Sequence, residues 1–296
     1  MNLELRQLRY FVTVAEELHF GRAAARLHMT QPPLSQTIAA LEETLGAPLF
    51  LRNRRQVELT GAGAALLPEA RRLLEGAASL PELVRRAAAG ESGRLALSFV
   101  TPADYSVLPS LLHDYSAAYP NVQLVLREAT TDVQVDDLLH ERIDAGLVIP
   151  PLSEKAQAQL DYLKLLEEPL VLCAPSGVLP DGDAPVDLKT LRQLSLIIFP
   201  RKSAPSLYDA ILSCFHEAGL SPEIGQEAIQ MQTIVSLVSA GMGLALVPQS
   251  VSNLRRPGVE YRALAGPTPL VELGLAWRRD NASPVLRGFL ELLRKN

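Results

Sequence analysis

Cysteine and long apolar runs are scarce in this sequence. The 296 residues include two cysteines, Cys173 and Cys214, which lie far apart, each in an apolar stretch. This context predicts buried thiols in a reducing compartment, and no metal framework follows from them. No apolar run approaches the roughly 20 residues needed to span a bilayer, and charges already occur within the opening residues. We therefore expect a cytoplasmic protein.

The residue patterns of metal and catalytic sites are also missing. The five histidines are scattered without metal-ligand spacing, and each is expected at the surface or at a helix cap. No G-x-S-x-G turn occurs, and neither cysteine has a suitably placed histidine. The turn at residues 241–243 lies between a predicted helix and the strand after it, the reverse of the order in a dinucleotide-binding turn. We therefore expect no enzymatic activity, no metal and no cofactor.

The net charge of −5 is distributed unevenly along the chain. Residues 1–60 hold seven Lys/Arg and six Asp/Glu, residues 61–90 hold four and three, and the remainder holds 17 and 24. The acidity therefore belongs to the C-terminal part. Attraction to nucleic-acid phosphates depends on local clusters rather than on net charge. The basic residues that matter here are Arg22, Arg26, Arg52, Arg54 and Arg55.

Residues 23–51 predict two short helices followed by an extended turn. The second helix carries apolar residues at four-three-four spacing, namely Leu34, Ile38, Leu41 and Leu45. This spacing places them on one face of a helix, which should be buried. The helix before it has a small apolar face formed by Ala23, Ala24 and Leu27. Residues 28–30 then supply a connection of the length that a helix-turn-helix uses.

The second helix should begin near Gln31. Thr30 stands at the N-cap position, and the two prolines after Gln31 fall in the first turn, where a missing N–H costs little. The outward face begins with short polar or compact groups that can approach base edges: Gln31, Pro32, Pro33, Ser35 and Gln36. Arg52, Arg54 and Arg55 belong to a β wing that residues 57–60 close. Without further information, an amphipathic helical hairpin with a solvated polar face explains the same pattern.

A family resemblance is carried by the run A-A-x-x-L-x-x-T-Q-P-P-L-S-x-x-I-x-x-L-E-x-x-L-G-x-x-L-F-x-R at residues 23–52. It resembles the N-terminal signature of the LysR-type transcriptional regulators, and residues 1–20 fit the first helix of that family. The apolar face of this first helix comprises Leu5, Leu8, Phe11, Val12 and Ala15. The resemblance implies an α/β protein with an all-α, winged N-terminal domain. Its parts are a winged helix-turn-helix at 1–60, a linker helix at 61–90 and a periplasmic-binding-protein-like effector domain at 91–296.

The resemblance also implies which residues contact DNA. They are Arg22, Thr30, Gln31, Pro32, Pro33, Ser35, Gln36, Arg52, Arg54 and Arg55. The second helix would lie in the major groove, with its outward flank near base edges and phosphates. The wing arginines would hold the backbone or enter the minor groove. The acidic residues Glu42 and Glu43 are expected farther along the helix, tilted away from the groove.

Residues 64–89 predict one long helix rich in Ala, Leu, Arg and Glu. Its larger apolar residues are Leu66, Leu73, Leu74, Leu80 and Leu83. Such a stripe needs a partner, either within its own domain or, as the resemblance implies, in a second copy of the helix. Pro81 removes a backbone hydrogen bond at a cost of about 3 kcal/mol or more. We therefore predict a kink or break near Leu80.

From residue 95 onward, short apolar runs alternate with helical stretches in the order of a mostly parallel sheet covered by helices. Strands are predicted at 95–100, 122–128, 145–149, 170–173, 195–199, 224–228, 244–247 and 271–277. Helices are predicted at 107–119, 133–142, 207–218, 233–240 and 284–293. The resemblance implies crossover segments near 165–169 and 262–267. Subdomain I would then hold about 91–165 and 267–296, and subdomain II about 166–266.

Four strand-to-helix corners place polar groups where such sheets bind ligands, beyond the carboxyl ends of the strands. The corners contain Thr101, Pro102, Thr130, Thr131, Phe199, Pro200, Arg201, Ser203, Met231 and Gln232. An ordinary N-cap would explain any single corner, whereas four corners that match effector contacts of the family favour a small-molecule cleft. Arg201 is a candidate partner for a carboxylate because its guanidinium binds bidentately, the alternative being a solvated surface loop.

The stretch IIFPRKSAPSLYD resembles family members that control the breakdown of aromatic compounds, whose effectors are muconates or aromatic acids. Ile149 stands where some of them carry an arginine, which puts a second effector site in doubt. The resemblance thus implies an activator or repressor that is switched by a small carboxylate. It would bind an interrupted palindrome in double-stranded DNA as a homodimer or homotetramer, and an activator would contact RNA polymerase.

A solute-binding protein or an enzyme on the same α/β scaffold is the alternative. Removal of residues 1–60 separates these possibilities. A regulator would lose DNA binding and keep its ligand, whereas the turnover of an enzyme would be unaffected.

Overall fold

The structure is a computed structural model that describes residues 3–53, 56–266 and 268–295, with the side chains of residues 52, 53 and 56 outside that description. Two compact units divide the chain, Met1–Arg86 and Ala87–Asn296. Within the described residues, none of the helices combines the length and the apolar character that crossing a membrane requires.

The N-terminal unit is a three-helix core with a two-stranded wing and a long final helix. Its elements are α1 (Leu5–Glu17), α2 (Phe20–Arg26), α3 (Gln31–Leu45), β1 (Phe50–Asn53), β2 (Gln56–Leu59) and α4 (Gly61–Ala88). The predicted apolar face of α3 is confirmed, because Leu34, Ile38 and Leu41 are completely buried. Phe50 anchors the wing to this core, with its ring centroid 5.5 Å from that of Phe11.

The first helix departs from its predicted face at two positions. Leu8, Phe11 and Ala15 are buried as expected and Val12 is half-buried, but Leu5 is exposed and Val14 is buried instead. The sequence could not distinguish these residues, because a period of 3.6 allows a face to rotate by one position at a helix end.

The long helix α4 is continuous from Gly61 to Ala88, so the chain does not break near Leu80, and the alternative of a kink there stays a prediction. Pro81 lies on an exposed stretch, where water can satisfy the carbonyl group that loses its N–H partner. The first half of the helix packs on its own unit through Leu66, Leu67 and Leu74. In the second half, Leu80, Leu83 and Val84 are exposed.

The start of α4 is fixed by a close backbone approach. The Thr60 hydroxyl donates to the carbonyl oxygen of Pro48 at 2.7 Å and accepts the N–H of Gly63 at 3.0 Å. A Cβ atom on Gly63 would lie 2.3 Å from the Leu49 carbonyl oxygen. Only glycine therefore lets the helix begin directly against the wing.

The C-terminal unit alternates strands and helices. Its strands are β3 (Ser92–Phe99), β4 (Asn121–Glu128), β5 (Ala145–Val148), β6 (Leu160–Pro175), β7 (Leu196–Ile198), β8 (Ile224–Glu227), β9 (Ala245–Pro248), β10 (Val259–Ala263) and β11 (Leu270–Arg278). Its helices are α5 (Thr101–Asp104), α6 (Leu108–Ala118), α7 (Thr131–Leu139), α8 (Glu154–Gln157), α9 (Pro205–Glu217), α10 (Met231–Ser239) and α11 (Pro284–Leu293). Short 3-10 turns occupy Leu188–Leu191, Arg201–Ser203 and Gln249–Leu254.

The principal sheet is mixed, which corrects the prediction of a mostly parallel one. Its order is β10-β6-β11-β5-β3-β4, with β9 also paired to β6. Only β3 pairs in parallel with β4 and β5, whereas β6, β9, β10 and β11 form antiparallel pairs. The antiparallel character comes from β6 and β11, two long strands that pair with each other in opposite directions.

Strand β6 divides the C-terminal unit into two lobes. Its residues 160–169 pair with β11, and its residues 170–175 pair with β9 and β10. We call the part built on β3, β4, β5 and β11 the first lobe and the part built on β7 to β10 the second lobe. Strand β6 thus changes partners after residue 169, at the end of the segment 165–169 where the resemblance implied a crossover. The sequence predicted only residues 170–173 as strand, because charged residues interrupt the apolar pattern before them.

Candidate functional site

The outward flank of α3 is free of contacts with a core. Gln31, Pro32, Pro33 and Gln36 are exposed, and Ser35 is half-buried. The helix begins at Gln31 as predicted, with prolines in its first turn, and ends at Gly46 in the left-handed conformation. A row of short polar and compact groups therefore projects from the helix on the side opposite its buried apolar residues.

Thr30 is an N-cap by position only. Its backbone is extended, with φ −84° and ψ 156°, but its side chain makes no capping hydrogen bond. The prolines explain why, since the N1 to N3 turn then offers fewer N–H groups for a cap to satisfy. The exposed Thr30 hydroxyl thus adds to the outward flank.

The arginines of α2 are held by α1, which weakens the predicted basic cluster. Arg22 donates to the Glu17 carboxylate at 3.3 Å and also to the Glu17 carbonyl oxygen. Arg26 pairs with Glu16 at 2.9 Å and with Glu17 at 3.2 Å. These pairs could not be predicted from the sequence, because they join residues of different helices. Arg22 can still reach a phosphate, since 63% of its side chain is exposed.

Two further groups organise this region. His19 caps α2, because its Nδ1 accepts the N–H groups of Gly21 at 3.0 Å and Arg22 at 3.2 Å. Glu42 accepts the N–H groups of Leu49 at 2.7 Å and Phe50 at 3.2 Å, which ties the end of α3 to the wing. The carboxylate of Glu42 is therefore directed to the chain after the helix, and its orientation away from a DNA groove stays a prediction.

The wing has the predicted hairpin form. Strands β1 and β2 pair antiparallel, with Phe50 opposite Leu59 and Arg52 opposite Val57. Of the predicted wing arginines, Arg52 lies on β1, and its side chain is not part of the description. Arg54 and Arg55 lie outside the described residues, so their roles stay predictions.

A cavity of about 160 Å³ opens between the two lobes of the C-terminal unit. Seven of the predicted effector residues line it: Thr101, Pro102, Thr130, Thr131, Phe199, Ser203 and Met231. The other lining residues are Val100, Glu128, Ala129, Ile149, Ala204, Leu207, Ile229 and Gln230. All four predicted corners thus meet around one cavity, although they come from distant parts of the chain.

Three predicted residues lie beside the cavity rather than in its lining. Arg201 is exposed and forms a bidentate pair with Asp209, with N–O distances of 2.8 and 2.7 Å. The Gln232 side chain lies near the Tyr105 hydroxyl. Pro200 caps the turn that leads to Ser203. The sequence could not show the pairing of Arg201, because Asp209 is on the next helix.

The lining residues that sequence reasoning missed are mainly neighbours of the predicted ones. Val100, Ala129 and Gln230 each lie one residue from a predicted position, and their chemistry gave no separate signal. Leu207 comes from the buried face of α9, which the helical period of that segment could have indicated. Glu128 could not be predicted to line the cavity, because a carboxylate at the end of a strand is commonly solvated.

Some polar side chains that line the cavity already form hydrogen bonds within the protein. The Thr101 hydroxyl donates to Oε1 of Glu128 at 2.5 Å, and the Thr131 hydroxyl accepts the N–H of Ile149 at 3.2 Å. Helices α7 and α10 begin at the cavity wall with Thr131 and Met231. Their first N–H groups have no partner within the helix and favour an anion.

Hydrogen bonds join the two lobes beside the cavity. The Ser206 hydroxyl of the second lobe donates to the carbonyl oxygen of Pro150 at 2.7 Å. The Asn253 amide donates to the carbonyl oxygen of Tyr105 at 2.9 Å. A change in lobe closure must therefore rearrange these contacts.

The two cysteine thiols are buried. Cys173 and Cys214 are free and buried, as predicted, and burial raises the pKa of their thiols to about 12 and about 11. Both thiols stay protonated at neutral pH and are poor nucleophiles. In the described part of the chain, no three His, Cys, Asp or Glu side chains are grouped so that they could hold a metal ion.

Comparison with known proteins covers both units. The family described as bacterial regulatory helix-turn-helix protein, lysR family, matches residues 5–64, and the LysR substrate binding domain matches residues 88–296. The HTH-type transcriptional regulator IlvR of Caulobacter vibrioides is 49% identical over 294 residues, which cover 99% of this chain and 98% of that protein. The regulator AlsR of Bacillus subtilis is 39% identical over 290 residues, or 98% and 95% of the two chains.

A solved structure extends the comparison to three dimensions. Full-length CbnR, crystallised with its target DNA, matches with a TM-score of 0.80 at 32% identity, covering 99% of both chains. The curated relatives are regulators rather than enzymes. With two family matches, a free flank on α3 and a cavity between two α/β lobes, the chain belongs to the LysR family of bacterial helix-turn-helix transcription regulators.

Proposed function

We propose that this regulator acts as a homodimer or homotetramer that binds an interrupted palindrome and responds to a small carboxylate in the cavity between its lobes. The observation that carries the DNA part is the exposure of Gln31, Pro33 and Gln36 on a helix whose opposite face is completely buried. A helix of this kind can enter the major groove without disturbing its own core. The similarity to CbnR, which was crystallised with its target DNA, supports DNA as the partner.

The exposed apolar residues of α4 support the oligomer. Leu80, Leu83 and Val84 recur at three- and four-residue spacing on the second half of the helix, where their exposed fractions are 54, 61 and 64%. Apolar residues in such a row gain free energy when a second helix covers them. Two copies of the chain would then present two α3 helices to two half-sites, which is why we expect a palindrome.

The effector part of the proposal rests on the chemistry of the cavity walls. The hydroxyl groups of Thr130, Thr131 and Ser203 and the N-termini of α7 and α10 suit one carboxylate group. Val100, Ile149, Phe199, Leu207 and Ile229 suit a hydrocarbon body. Aromatic acids and muconates are the expected classes. A muconate would bring a second carboxylate near Glu128, so a monocarboxylate fits better.

Effector binding would switch the regulator by changing lobe closure. The hydrogen bonds from Ser206 to Pro150 and from Asn253 to Tyr105 form at one particular arrangement of the two lobes. A ligand shifts the balance between closures only if it binds one of them more tightly. No cofactor takes part in this scheme. The regulator would work in the cytoplasm, where it meets DNA and, as an activator, RNA polymerase.

The proposal is tested by selecting binding sites for the full chain from random duplex DNA. We expect enrichment of an interrupted palindrome and no enrichment for a chain that lacks residues 1–60. The shortened chain should keep its thermal shift with small carboxylates, because the cavity lies wholly in the C-terminal unit. A solute-binding protein would show the thermal shift but no enriched site, and that result would overturn the proposal.

Replacement of Gln31 tests the contact with base edges. We expect Gln31→Ala to relax base preference in the selected site, with a loss of about 1–3 kcal/mol against the preferred base. The measurement is fluorescence anisotropy on the selected duplex and on duplexes with single base changes. Gln123→Ala, at an exposed position on β4, is the matched control and should leave the preference unchanged. Equal loss on every duplex would assign Gln31 to a phosphate instead.

A further inference from the structure

The cavity contains a carboxylate that a purely anionic effector would have to approach. Glu128 ends β4, directly before the residues that lead into α7, and it lines the cavity. It is the only ionisable carboxylate or base among the lining residues that the structure describes. Glu128 is exposed, so water weakens its repulsion, but the wall still disfavours a negative charge on a ligand at this point.

The protein does not neutralise this carboxylate with a cation. Arg127, the neighbour of Glu128 in sequence, pairs with Asp137 at 2.7 Å, and Arg201 pairs with Asp209. In the described part of the chain, Glu128 forms no ion pair within 4.0 Å. Its contact is with the Thr101 hydroxyl, which donates to Oε1 at 2.5 Å. This bond fixes the carboxylate, while its other lone pairs stay available to a ligand.

The starts of α7 and α10 favour a ligand group of the opposite charge, a negative one. The first bonds within these helices run from Gln134 to Thr130 and from Ile234 to Gln230, so the N–H groups before them have no helical partner. Those N–H groups favour a negative group. The cavity therefore offers a place for a cation at Glu128, a place for an anion at the start of α7 only three residues farther along the chain, and apolar residues elsewhere in its wall.

We infer that the effector carries a protonated nitrogen next to its carboxylate, as an aliphatic α-amino acid does, and that Glu128 binds this nitrogen. The ammonium group would donate to the free lone pairs of the Glu128 carboxylate in a charge-assisted hydrogen bond. The carboxylate would accept N–H groups at the start of α7 or α10. Ile149, Leu207 and Ile229 would contact the hydrocarbon side chain. This inference rests on the proposed function, of which it specifies the effector class.

The inference is tested by calorimetry and thermal shift on the full chain with matched ligands. The probes are L-valine and L-leucine, their deaminated counterparts 3-methylbutanoate and 4-methylpentanoate, and the corresponding amines without a carboxylate. We expect at least one amino acid to bind roughly tenfold or more tightly than both its acid and its amine counterparts, as loss of a charge-assisted contact implies. Binding of the acids with equal or higher affinity would overturn the inference, as would no binding of any amino acid.

Substitution of Glu128 assigns the effect to its carboxylate. Glu128→Gln keeps an oxygen for the Thr101 hydroxyl but removes the charge, so the unliganded melting temperature should not change. We expect this variant to lose the tenfold preference for the amino acid. Glu291→Gln, at an exposed position on α11, should retain it. Retention of the preference in Glu128→Gln would place the nitrogen elsewhere and reject the role of Glu128.

The same experiment separates this inference from the proposed function. Site selection from random DNA is carried out on the same protein without ligand. An enriched palindrome together with a preference for deaminated acids would leave the regulator proposal standing and reject the ammonium contact. Failure to enrich any site, with amino acids still bound, would reject the regulator proposal alone.

Discussion

A chain that carries Ser35→Asp should lose duplex affinity by roughly 10²-fold or more, because like charges brought together at an interface cost several kcal/mol. Ser35 is half-buried on α3 and lies between the exposed flank of Gln31 and Gln36 and the completely buried Leu34. A carboxylate there would face the phosphates and acceptor-rich base edges of a major groove. Fluorescence anisotropy on the selected site, repeated over a range of salt concentrations, measures the loss.

The matched control for this substitution is Ser110→Asp. Ser110 is exposed in the first turn of α6 in the C-terminal unit, where an added negative charge is compatible with the helix dipole. This variant has the same change of net charge and should bind DNA as the parent chain does. Equal losses in both variants would mean that net charge alone weakens binding. No loss in Ser35→Asp would show that the α3 flank stays outside the groove.

The sequence predicted α3 well because the signals for this helix are local. Leu34, Ile38 and Leu41 lie within two turns of one helix, and the prolines after Gln31 mark its start within the same turn. The arginine cluster was predicted less well. The charges of Arg22 and Arg26 are offset by Glu17 and Glu16 of α1, and such contacts depend on how two helices pack.

The cavity shows the same division between local and non-local signals. Thr101 and Thr130 could be predicted as cavity residues because a strand end followed by a helix start is visible along the chain. The pairing of Arg201 with Asp209 and the bond between Thr101 and Glu128 could not be predicted. Residues 101 and 128 belong to different corners, and their distance is set by the parallel pairing of β3 with β4. Thus the positions of these cavity residues could be predicted from the sequence, but the pairing of charged and polar groups within the site could not.

The second large effect is expected from the core beneath the α3 flank. Ile38 is completely buried and belongs to the cluster that contains Phe11 of α1 and Phe50 of the wing. Ile38→Ala should reduce the free energy of unfolding of the N-terminal unit by about 2–5 kcal/mol, because it removes buried methyl groups and leaves a cavity. Whole domains are stable by only about 5–15 kcal/mol, so this loss is a large fraction of the total.

Hydrogen exchange measures this loss for each unit separately, because backbone amides report the free energy of opening of the segment that holds them. Amides of α1 and α3 should lose protection in Ile38→Ala, while those of β3 and β11 should not. Ile38→Val removes one methyl group and should cost about 0.5–1.5 kcal/mol, with DNA binding retained. Parent-like protection of α3 in Ile38→Ala would mean that its buried face does not hold the flank in place. A thermal shift with ligand should persist in both variants, because the substituted core belongs to the N-terminal unit and the cavity to the C-terminal unit.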